Sequence, residues 1–162
     1  MKLTMPNSLH TYWIRYNYMT TKVGFTGTQH GMTDAQKNIL SNFKVWYGEI
    51  EFHHGGCIGA DLQLHYIAKK KKIQVVVHPP TDRKKYAGGL DFDIIPPLPI
   101  FRKPKPYLER NHDIVDETEY LIATPSTANE QLRSGTWATV RYAKKCGKKV
   151  ILILPDGTVK EY

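Results

Sequence analysis

The chain has few cysteines to cross-link it and no long apolar segment to anchor it in a membrane. Only two of its 162 residues are cysteine, Cys57 and Cys146, and their contexts give no reason to pair them. No apolar run approaches the roughly 18 residues that cross a membrane. There is also no charged-then-apolar start with a cleavage site. We therefore expect a cytoplasmic protein that folds without disulfides and has no membrane partner.

Several familiar catalytic patterns are also missing. Neither glycine loop described below is followed by the Gly-Lys-Ser or Gly-Lys-Thr of a P-loop, and no Gly-x-Ser-x-Gly elbow of a hydrolase occurs. His53, His54 and Cys57 lie close together, but no second Cys/His pair with zinc-like spacing exists elsewhere. The sequence therefore predicts neither a metal nor another cofactor.

Acidic residues are outnumbered by basic ones. The 15 Asp and Glu against 23 Lys and Arg leave a formal charge of +8, which favours anionic partners. Free nucleotide, nucleic acid and a membrane surface all satisfy that charge. A chain of this length most simply forms one domain, which we place at residues 21–162. Residues 1–20, rich in Tyr and Asn, are predicted to be an N-terminal extension.

Strand-like and helix-like segments alternate along this domain. Thr33 and Gln36 form a capping-box pattern that starts a first helix, predicted to continue to Gly48. Further helices are predicted over residues 59–72 and 135–146. The five predicted strands are Val23–Gly27, Ile50–Phe52, Ile73–Val77, Tyr120–Ala123 and Val150–Leu154. The pattern predicts an α/β fold, a Rossmann-like, doubly wound, mainly parallel sheet of about five strands with helices on both faces.

Residues 78–106 interrupt the alternation. Seven of the ten prolines lie in this stretch, together with Gly88-Gly89 and several basic side chains. A structureless stretch of this length in a compact domain is usually functional or disordered. We predict a basic, proline-rich loop, which is either a lid or rim over a binding site or a plain surface excursion.

Two glycine-bearing loops each follow a predicted strand and open a predicted helix. They are His54–Asp61 and Arg133–Thr136. Backbone N–H groups at a helix N-terminus bind anions, and glycine lets a ligand approach them closely. Ser134 would then help to hold a phosphate, although it could instead be an ordinary helix cap. Asp61 has two open roles as well, because a carboxylate in a first helical turn either binds ribose hydroxyls or stabilises the helix dipole.

Loops at the carboxyl ends of parallel strands converge on one site. We therefore add the turn after the first strand, the residues after Tyr120–Ala123 and, more weakly, the polar stretch Pro106–Asp113. The predicted ligand-binding residues are Thr26, Gly27, Thr28, Gln29, Gly55, Gly56, Cys57, Gly59, Asp61, Thr124, Pro125, Arg133, Ser134, Gly135 and Thr136.

Four of these motifs together resemble a known superfamily. They are Gly24–Thr28, Gly55–Asp61, Glu109–Asn111 and Arg133–Thr136. The chain resembles the SLOG superfamily, a Rossmann-like group that includes the lonely-guy phosphoribohydrolases, DNA-processing protein A and ligand-sensing domains of bacterial antiphage systems. The resemblance covers about residues 21–157. It is nearest to small uncharacterised bacterial and phage members with a Gly-Thr-Trp-x-Thr-x-Arg-Tyr-Ala helix start.

The resemblance implies a chemistry as well as a fold. Lonely-guy enzymes cleave the N-glycosidic bond of a nucleoside monophosphate with an Arg and with a Glu three residues after the Gly-Thr of their phosphate loop. Arg110 is similar to that Arg, whereas Thr139 stands at the position of the Glu and cannot act as a carboxylate. This comparison supports phosphate binding more strongly than it supports hydrolysis. The candidate catalytic residues are Arg110 with Asp61 or Glu109, and Asp113 and Glu130 are further carboxylates that could substitute.

Three functions follow from these observations. The first is a module that binds a nucleotide or nucleotide-derived ligand in order to sense or sequester it. The second is an N-glycoside hydrolase of nucleoside phosphates. The third is binding of single-stranded nucleic acid, suggested by the charge and by the four-lysine run Lys69–Lys72. By analogy with the superfamily, we expect a homodimer or larger assembly.

Overall fold

A computed structural model describes residues 19–44 and 49–162 of the chain. The strands are β1 (Thr20–Gly27), β2 (Glu49–His54), β3 (Gln74–Val77), β4 (Ile100–Phe101), β5 (Tyr120–Thr124), β6 (Lys149–Ile153) and β7 (Val159–Glu161). The α-helices are α1 (Asp34–Ser41), α2 (Ala60–Lys70), α3 (Tyr107–Asp116) and α4 (Gly135–Lys145). Two short 3₁₀ helices lie at Arg83–Lys85 and Gly88–Phe92.

The seven strands form one sheet in the order β4-β3-β2-β1-β5-β6-β7. Strands β1 to β6 pair in parallel, and β7 pairs antiparallel with β6. The chain runs outward from β1 to β4 on one side and then crosses to β5 on the other side of β1. The strand order therefore reverses between β1 and β5, where open α/β sheets bind their ligands.

Helices cover both faces of the sheet. On one face α1 and α2 bury Leu40 and Leu64 against Phe25 of β1. On the other face α3 and α4 bury Val115 and Trp137 against β5 and β6. Burying one such side chain fully contributes about 1.5–3 kcal/mol. Helices of eight to eleven residues are marginal in isolation, so this packing stabilises them.

The predicted architecture is confirmed: an α/β fold with a mainly parallel, doubly wound sheet between two helical layers. The five predicted strands correspond to β1, β2, β3, β5 and β6. The estimate of about five strands was low because two short edge strands were not recognised. β4 has two residues and follows a proline cluster, and all three residues of β7 are exposed. Neither carries the apolar run that reveals a buried strand.

The first helix begins where it was predicted to begin but ends earlier than predicted. The Thr33 hydroxyl accepts from the Gln36 N–H at 3.2 Å, and the Gln36 side chain accepts from the Thr33 N–H at 3.0 Å, which completes the capping box. The predicted extension to Gly48 is wrong, because α1 ends at Ser41 and residues 43–44 are not helical. Gly48 and residues 1–18 of the predicted extension lie outside the described residues.

Residues 78–106 are ordered along the edge of the sheet. The stretch contains β4 and both 3₁₀ helices, and Tyr86 and Leu90 are buried in the core. Backbone hydrogen bonds of 2.8 Å join Ile58 N–H to the Lys85 carbonyl and Ala87 N–H to the Gly56 carbonyl. The segment is therefore attached to the first glycine loop. Within the described residues, no helix has the length and apolar character needed to cross a bilayer.

Gly59 is required by the path of the backbone. Its φ of +85° lies in the region that favours glycine, and a Cβ there would overlap the Gln29 carbonyl group. We expect Gly59→Ala to lower the free energy of unfolding by about 1–3 kcal/mol, measured by chemical denaturation. Gly89→Ala is the matched control, since a Cβ at Gly89 would meet nothing within 4 Å. Equal stability of the two variants would contradict this account.

Candidate functional site

A cleft of about 450 Å³ lies at the carboxyl ends of β1 and β5, where the strand order reverses. Its walls are the β1–α1 turn, the β2–α2 loop, α3 and the start of α4. Twelve of the predicted site residues line it: Thr26, Gly27, Thr28, Gln29, Gly55, Cys57, Asp61, Arg110, Arg133, Ser134, Gly135 and Thr136. The topology therefore brings both glycine loops to one place.

Five predicted site residues do not line the cleft: Gly56, Gly59, Thr124, Pro125 and Glu109. Gly56 and Gly59 shape the β2–α2 loop, with φ of +67° and +85°. Thr124 and Pro125 are buried behind it, and Glu109 is exposed on α3. The glycines of this loop therefore serve backbone conformation and close packing.

Arg110 is the buried cation of the site, with only 4% of its surface exposed. Its Nη1 donates to the Gly55 carbonyl and, at 3.0 Å, to the His78 carbonyl, and its Nη2 lies 3.6 Å from Cys57 Sγ. A Cβ on Gly55 would overlap the guanidinium, so glycine is needed there. Arg110 Nε is buried without a partner among the described residues. A buried positive charge with an unpaired donor favours an anionic ligand nearby.

The N-terminus of α4 supplies further donors. Ser134 is the N-cap and its hydroxyl accepts from the Trp137 N–H at 3.3 Å. The first helical N–H groups, of Gly135 and Thr136, have no intrahelical acceptor. A Cβ at Gly135 would meet nothing within 4 Å, so this backbone faces open space. Arg133 beside it is exposed and makes no ion pair within residues 19–44 and 49–162.

Asp61 is the carboxylate that lines the cleft. It lies in the first turn of α2, and its Oδ2 accepts from the Cys57 N–H at 3.1 Å. Burial raises the pKa of Asp61 to about 6, and the Arg110 charge opposes that rise. Burial likewise raises the pKa of the Cys57 thiol, so Cys57 stays protonated at neutral pH. Of these two groups, Asp61 is the one suited to exchange protons near neutrality.

The other proposed carboxylates lie elsewhere. Asp113 pairs with Lys105 at 2.7 Å and Glu130 pairs with Arg141 at 2.9 Å, and neither lines the cleft. Thr139 is buried, and its hydroxyl donates to the Gly135 carbonyl at 2.9 Å.

Behind the β2–α2 loop runs a chain of buried histidines. The Gly56 N–H donates to His54 Nδ1 at 2.9 Å, so His54 carries its hydrogen on Nε2 and donates to His65 Nδ1 at 3.1 Å. His65 Nε2 then donates to Asp93 Oδ2 at 2.8 Å. Burial lowers the pKa of both imidazoles, which favours the neutral rings that this chain requires. The chain joins the loop to the segment 78–106.

His53 projects from the face of β2 opposite His54 and contacts His78 rather than Cys57. The three residues considered for a metal from their proximity in sequence therefore do not form one cluster. The pKa of His78 is lowered to about 4, mainly by burial and to a smaller extent by the neighbouring His53.

Some lining residues were not recognised from the sequence. Tyr107 and Asn111 fell only in a weakly supported stretch, and His30 and Ser126 adjoin predicted residues. Lys85 was not among the predicted site residues, although it belongs to the basic loop 78–106 that was predicted to be a lid, a rim or a surface excursion. It reaches the cleft through backbone pairing of that segment.

Comparisons with known proteins support the fold. No family model and no curated protein matches the sequence. The crystal structure of the structural-genomics target TM1055 aligns with a TM-score of 0.55 and 13% identity, over 82% of this chain and 74% of that one. DNA-processing protein A from Helicobacter pylori, described with a single-stranded DNA binding mode, aligns with a TM-score of 0.53 and 18% identity.

The second alignment covers 82% of this chain and 64% of that protein, so this chain spans less than two thirds of its length. DNA-processing protein A belongs to the superfamily that the sequence motifs resemble. The SLOG-like resemblance is thereby confirmed at the level of the fold. Identities of 13% and 18% carry no assignment of activity.

The raised pKa of Asp61 makes stability depend on pH. The folded protein holds this proton more tightly than the unfolded chain, so the stabilisation is complete below about pH 4 and is lost as pH rises to about 6. Relative to Asp61→Asn, we expect wild-type unfolding free energy to fall by about 2–3 kcal/mol across that window. Denaturant titrations at several pH values measure it.

Asp156 provides the control for this experiment. Its carboxylate accepts from the Thr158 N–H at 2.8 Å, which lowers its pKa, so Asp156→Asn should alter the pH dependence in the opposite sense. Parallel stability curves for wild type and Asp61→Asn would contradict a raised pKa at Asp61.

Proposed function

We propose that the cleft binds a nucleotide or nucleotide-derived ligand, with its phosphate at the N-terminus of α4. The observation that carries this proposal is the convergence of three kinds of anion-binding group on one cleft. The free N–H groups of Gly135 and Thr136, the exposed Arg133 and the buried Arg110 all line it. Helix N–H groups and guanidinium groups are the usual phosphate ligands in proteins that use no metal.

The rest of the cleft suits a sugar and a base. Thr26, Gln29 and Asn111 offer hydroxyl and amide groups for hydrogen bonds, and Tyr107 offers an aromatic ring. Lys85 adds a further positive charge at the rim. About 450 Å³ is within the usual volume range of small-molecule sites, so one mononucleotide fits better than a long chain. In this reading the protein senses or sequesters its ligand.

Gly135 allows a sharp test of phosphate placement. Gly135→Ala adds a methyl group that meets no protein atom within 4 Å, so the free protein should fold normally. We expect it to weaken nucleotide binding about tenfold, because the methyl group occupies the approach to the helix N–H groups. Arg133→Gln should cost about 10–100-fold through a lost charged hydrogen bond. Isothermal titration calorimetry with nucleoside mono- and diphosphates measures both.

Gly89→Ala and Arg83→Gln are the matched controls, since neither residue lines the cleft. Mass spectrometry of small molecules released from the purified protein would identify the natural ligand class. Nucleotide affinity that is unchanged in both Gly135→Ala and Arg133→Gln would refute phosphate binding at α4.

Hydrolysis of the ligand is the second candidate function, and Asp61 is the observation that favours it. A carboxyl group whose pKa is about 6 can donate or accept a proton at neutral pH, and it lies beside Arg110 in the cleft. Thr139, at the position of the usual Glu, is turned away into its own helix. Asp61 would therefore have to supply the acid–base function alone.

For the hydrolase reading we expect free base to appear when the protein is incubated with a nucleotide that it binds. Asp61→Asn should lower the rate at least about 100-fold through loss of the acid or base. Glu130→Gln, which alters an exposed carboxylate outside the cleft, should leave the rate unchanged. Chromatography of the products measures the release. Binding without any release of base excludes hydrolysis and leaves the binding function intact.

Single-stranded nucleic acid is a third candidate ligand, favoured by the formal charge of +8 and by the fold shared with DNA-processing protein A. The lysine run gives it less support than the sequence suggested. The Lys69 side chain is only 8% exposed and pairs with Asp93 at 3.2 Å, and the Lys71 Nζ donates to the Ser41 carbonyl. Oligonucleotide binding that falls steeply with salt and survives Gly135→Ala would identify this function.

A further inference from the structure

Outside the cleft, three side chains from distant parts of the chain bring potential metal ligands together. His53 Nδ1 lies 2.9 Å from His78 Nε2 and 3.8 Å from Glu117 Oε2, and each of the three residues offers a potential ligand atom within 4.8 Å of those of the other two. His53 belongs to β2, His78 directly follows β3, and Glu117 directly follows α3. We propose that these residues form a binding site for a divalent transition-metal ion, with Zn²⁺ as the ion that fits best.

The donor set supports zinc. Two imidazoles and one carboxylate are the protein ligands of many three-ligand zinc sites, in which water takes the fourth position. Zinc bonds of about 2.0–2.1 Å in tetrahedral geometry place neighbouring ligand atoms about 3.3–3.4 Å apart. The distances of 2.9 Å and 3.8 Å from His53 lie on either side of that value, so small side-chain rotations complete the geometry.

A second carboxylate orients the first ligand. Glu51 Oε1 lies 2.9 Å from His53 Nε2, the ring nitrogen that faces away from the site. This contact keeps the hydrogen of a neutral His53 on Nε2 and leaves Nδ1 free to bind an ion. A carboxylate that holds the distal N–H of a ligating histidine is a common outer partner in zinc sites.

The metal-free pair and the metal-bound pair differ by one tautomer. With Nδ1 of His53 free, His78 donates its Nε2 hydrogen across the 2.9 Å contact. When the ion binds, it takes the place of that hydrogen. The hydrogen moves through solvent to Nδ1 of His78, so no net proton is released from the pair.

The site is closed on one side and open on the other. His53 and His78 are 0% and 1% exposed, whereas the Glu117 side chain is 33% exposed. An ion can therefore enter beside Glu117, where water can complete its coordination. Arg102 lies on this side and binds Glu117 Oε2 at 2.8 Å. Its positive charge competes with the ion for that carboxylate.

Metal binding would also affect the cleft, because the backbone of His78 contacts Arg110. The His78 carbonyl accepts from Arg110 Nη1 at 3.0 Å, so fixing His78 fixes one of the two carbonyls that hold Arg110. The ion would add a direct link between β2, β3 and α3, beside the β2–β3 backbone pairing and the Arg110 hydrogen bonds that already join them. Because the unfolded chain lacks the site, binding raises the stability of the fold.

The experiment uses the full chain without a purification tag, treated with chelator and then titrated with ZnCl₂. Calorimetry should give one Zn²⁺ per chain, and thermal denaturation should shift to higher temperature. Co²⁺ should give visible absorption bands typical of tetrahedral or five-coordinate nitrogen and oxygen ligation. An absence of Zn²⁺ binding in calorimetry, with no shift in denaturation temperature, would overturn the proposal.

One variant tests the ligand Glu117, one tests Glu51, the carboxylate that orients His53, and one tests the competitor Arg102. Glu117→Gln and Glu51→Gln should weaken Zn²⁺ binding by about 10–100-fold or more, and circular dichroism checks their folding. Arg102→Gln is the matched control, because it breaks the same Arg102–Glu117 ion pair but leaves all three ligands in place. It should bind Zn²⁺ at least as tightly as wild type. Binding that is unaffected by both Glu variants places the ion elsewhere and overturns the proposal.

Discussion

A buried guanidinium group connects the parts of this molecule that matter for its site. Arg110 is always charged and is almost excluded from water, so its partners must be fixed in place. They include two carbonyl groups, those of Gly55 after β2 and His78 after β3. The requirement for glycine at position 55 and the position of α3 both follow from this one group. The floor of the cleft is thus set by the need to satisfy a buried charge.

Most of the fold was predictable because buried strands and helix starts require recognisable residue patterns. The apolar runs of β3, β5 and β6 and the capping box at Thr33 all reflect local requirements that any α/β sheet imposes. The edge strands β4 and β7 have no such pattern, since their side chains are exposed and only backbone pairing defines them. The end of α1 was predicted too late because Asn42 caps the helix before Gly48, the residue predicted to end it.

The residues of the candidate site also fall into a group that was predictable from the sequence and a group that was not. Residues in loops directly after strands were predictable, since parallel topology brings those loops together wherever they occur. Lys85 and the His53–His78 contact depend on segments that approach each other only in three dimensions. Glycine in such a loop can serve a ligand or an unusual backbone, and at Gly56 and Gly59 the structure shows the second, with a positive φ at both positions. The sequence alone does not separate these two uses of glycine.

The attachment of residues 78–106 has a kinetic consequence. Moving this segment away from the cleft would break the backbone bonds at Ile58 and Ala87 and expose the buried ring of Tyr86. Such an opening is expensive, so the segment stays attached to the β2–α2 loop and holds Lys85 at the rim of the cleft. For the ligand proposed above, association would therefore not wait for this segment to open: its rate would follow from diffusion and charge attraction, and differences in affinity between ligands would appear as differences in residence time.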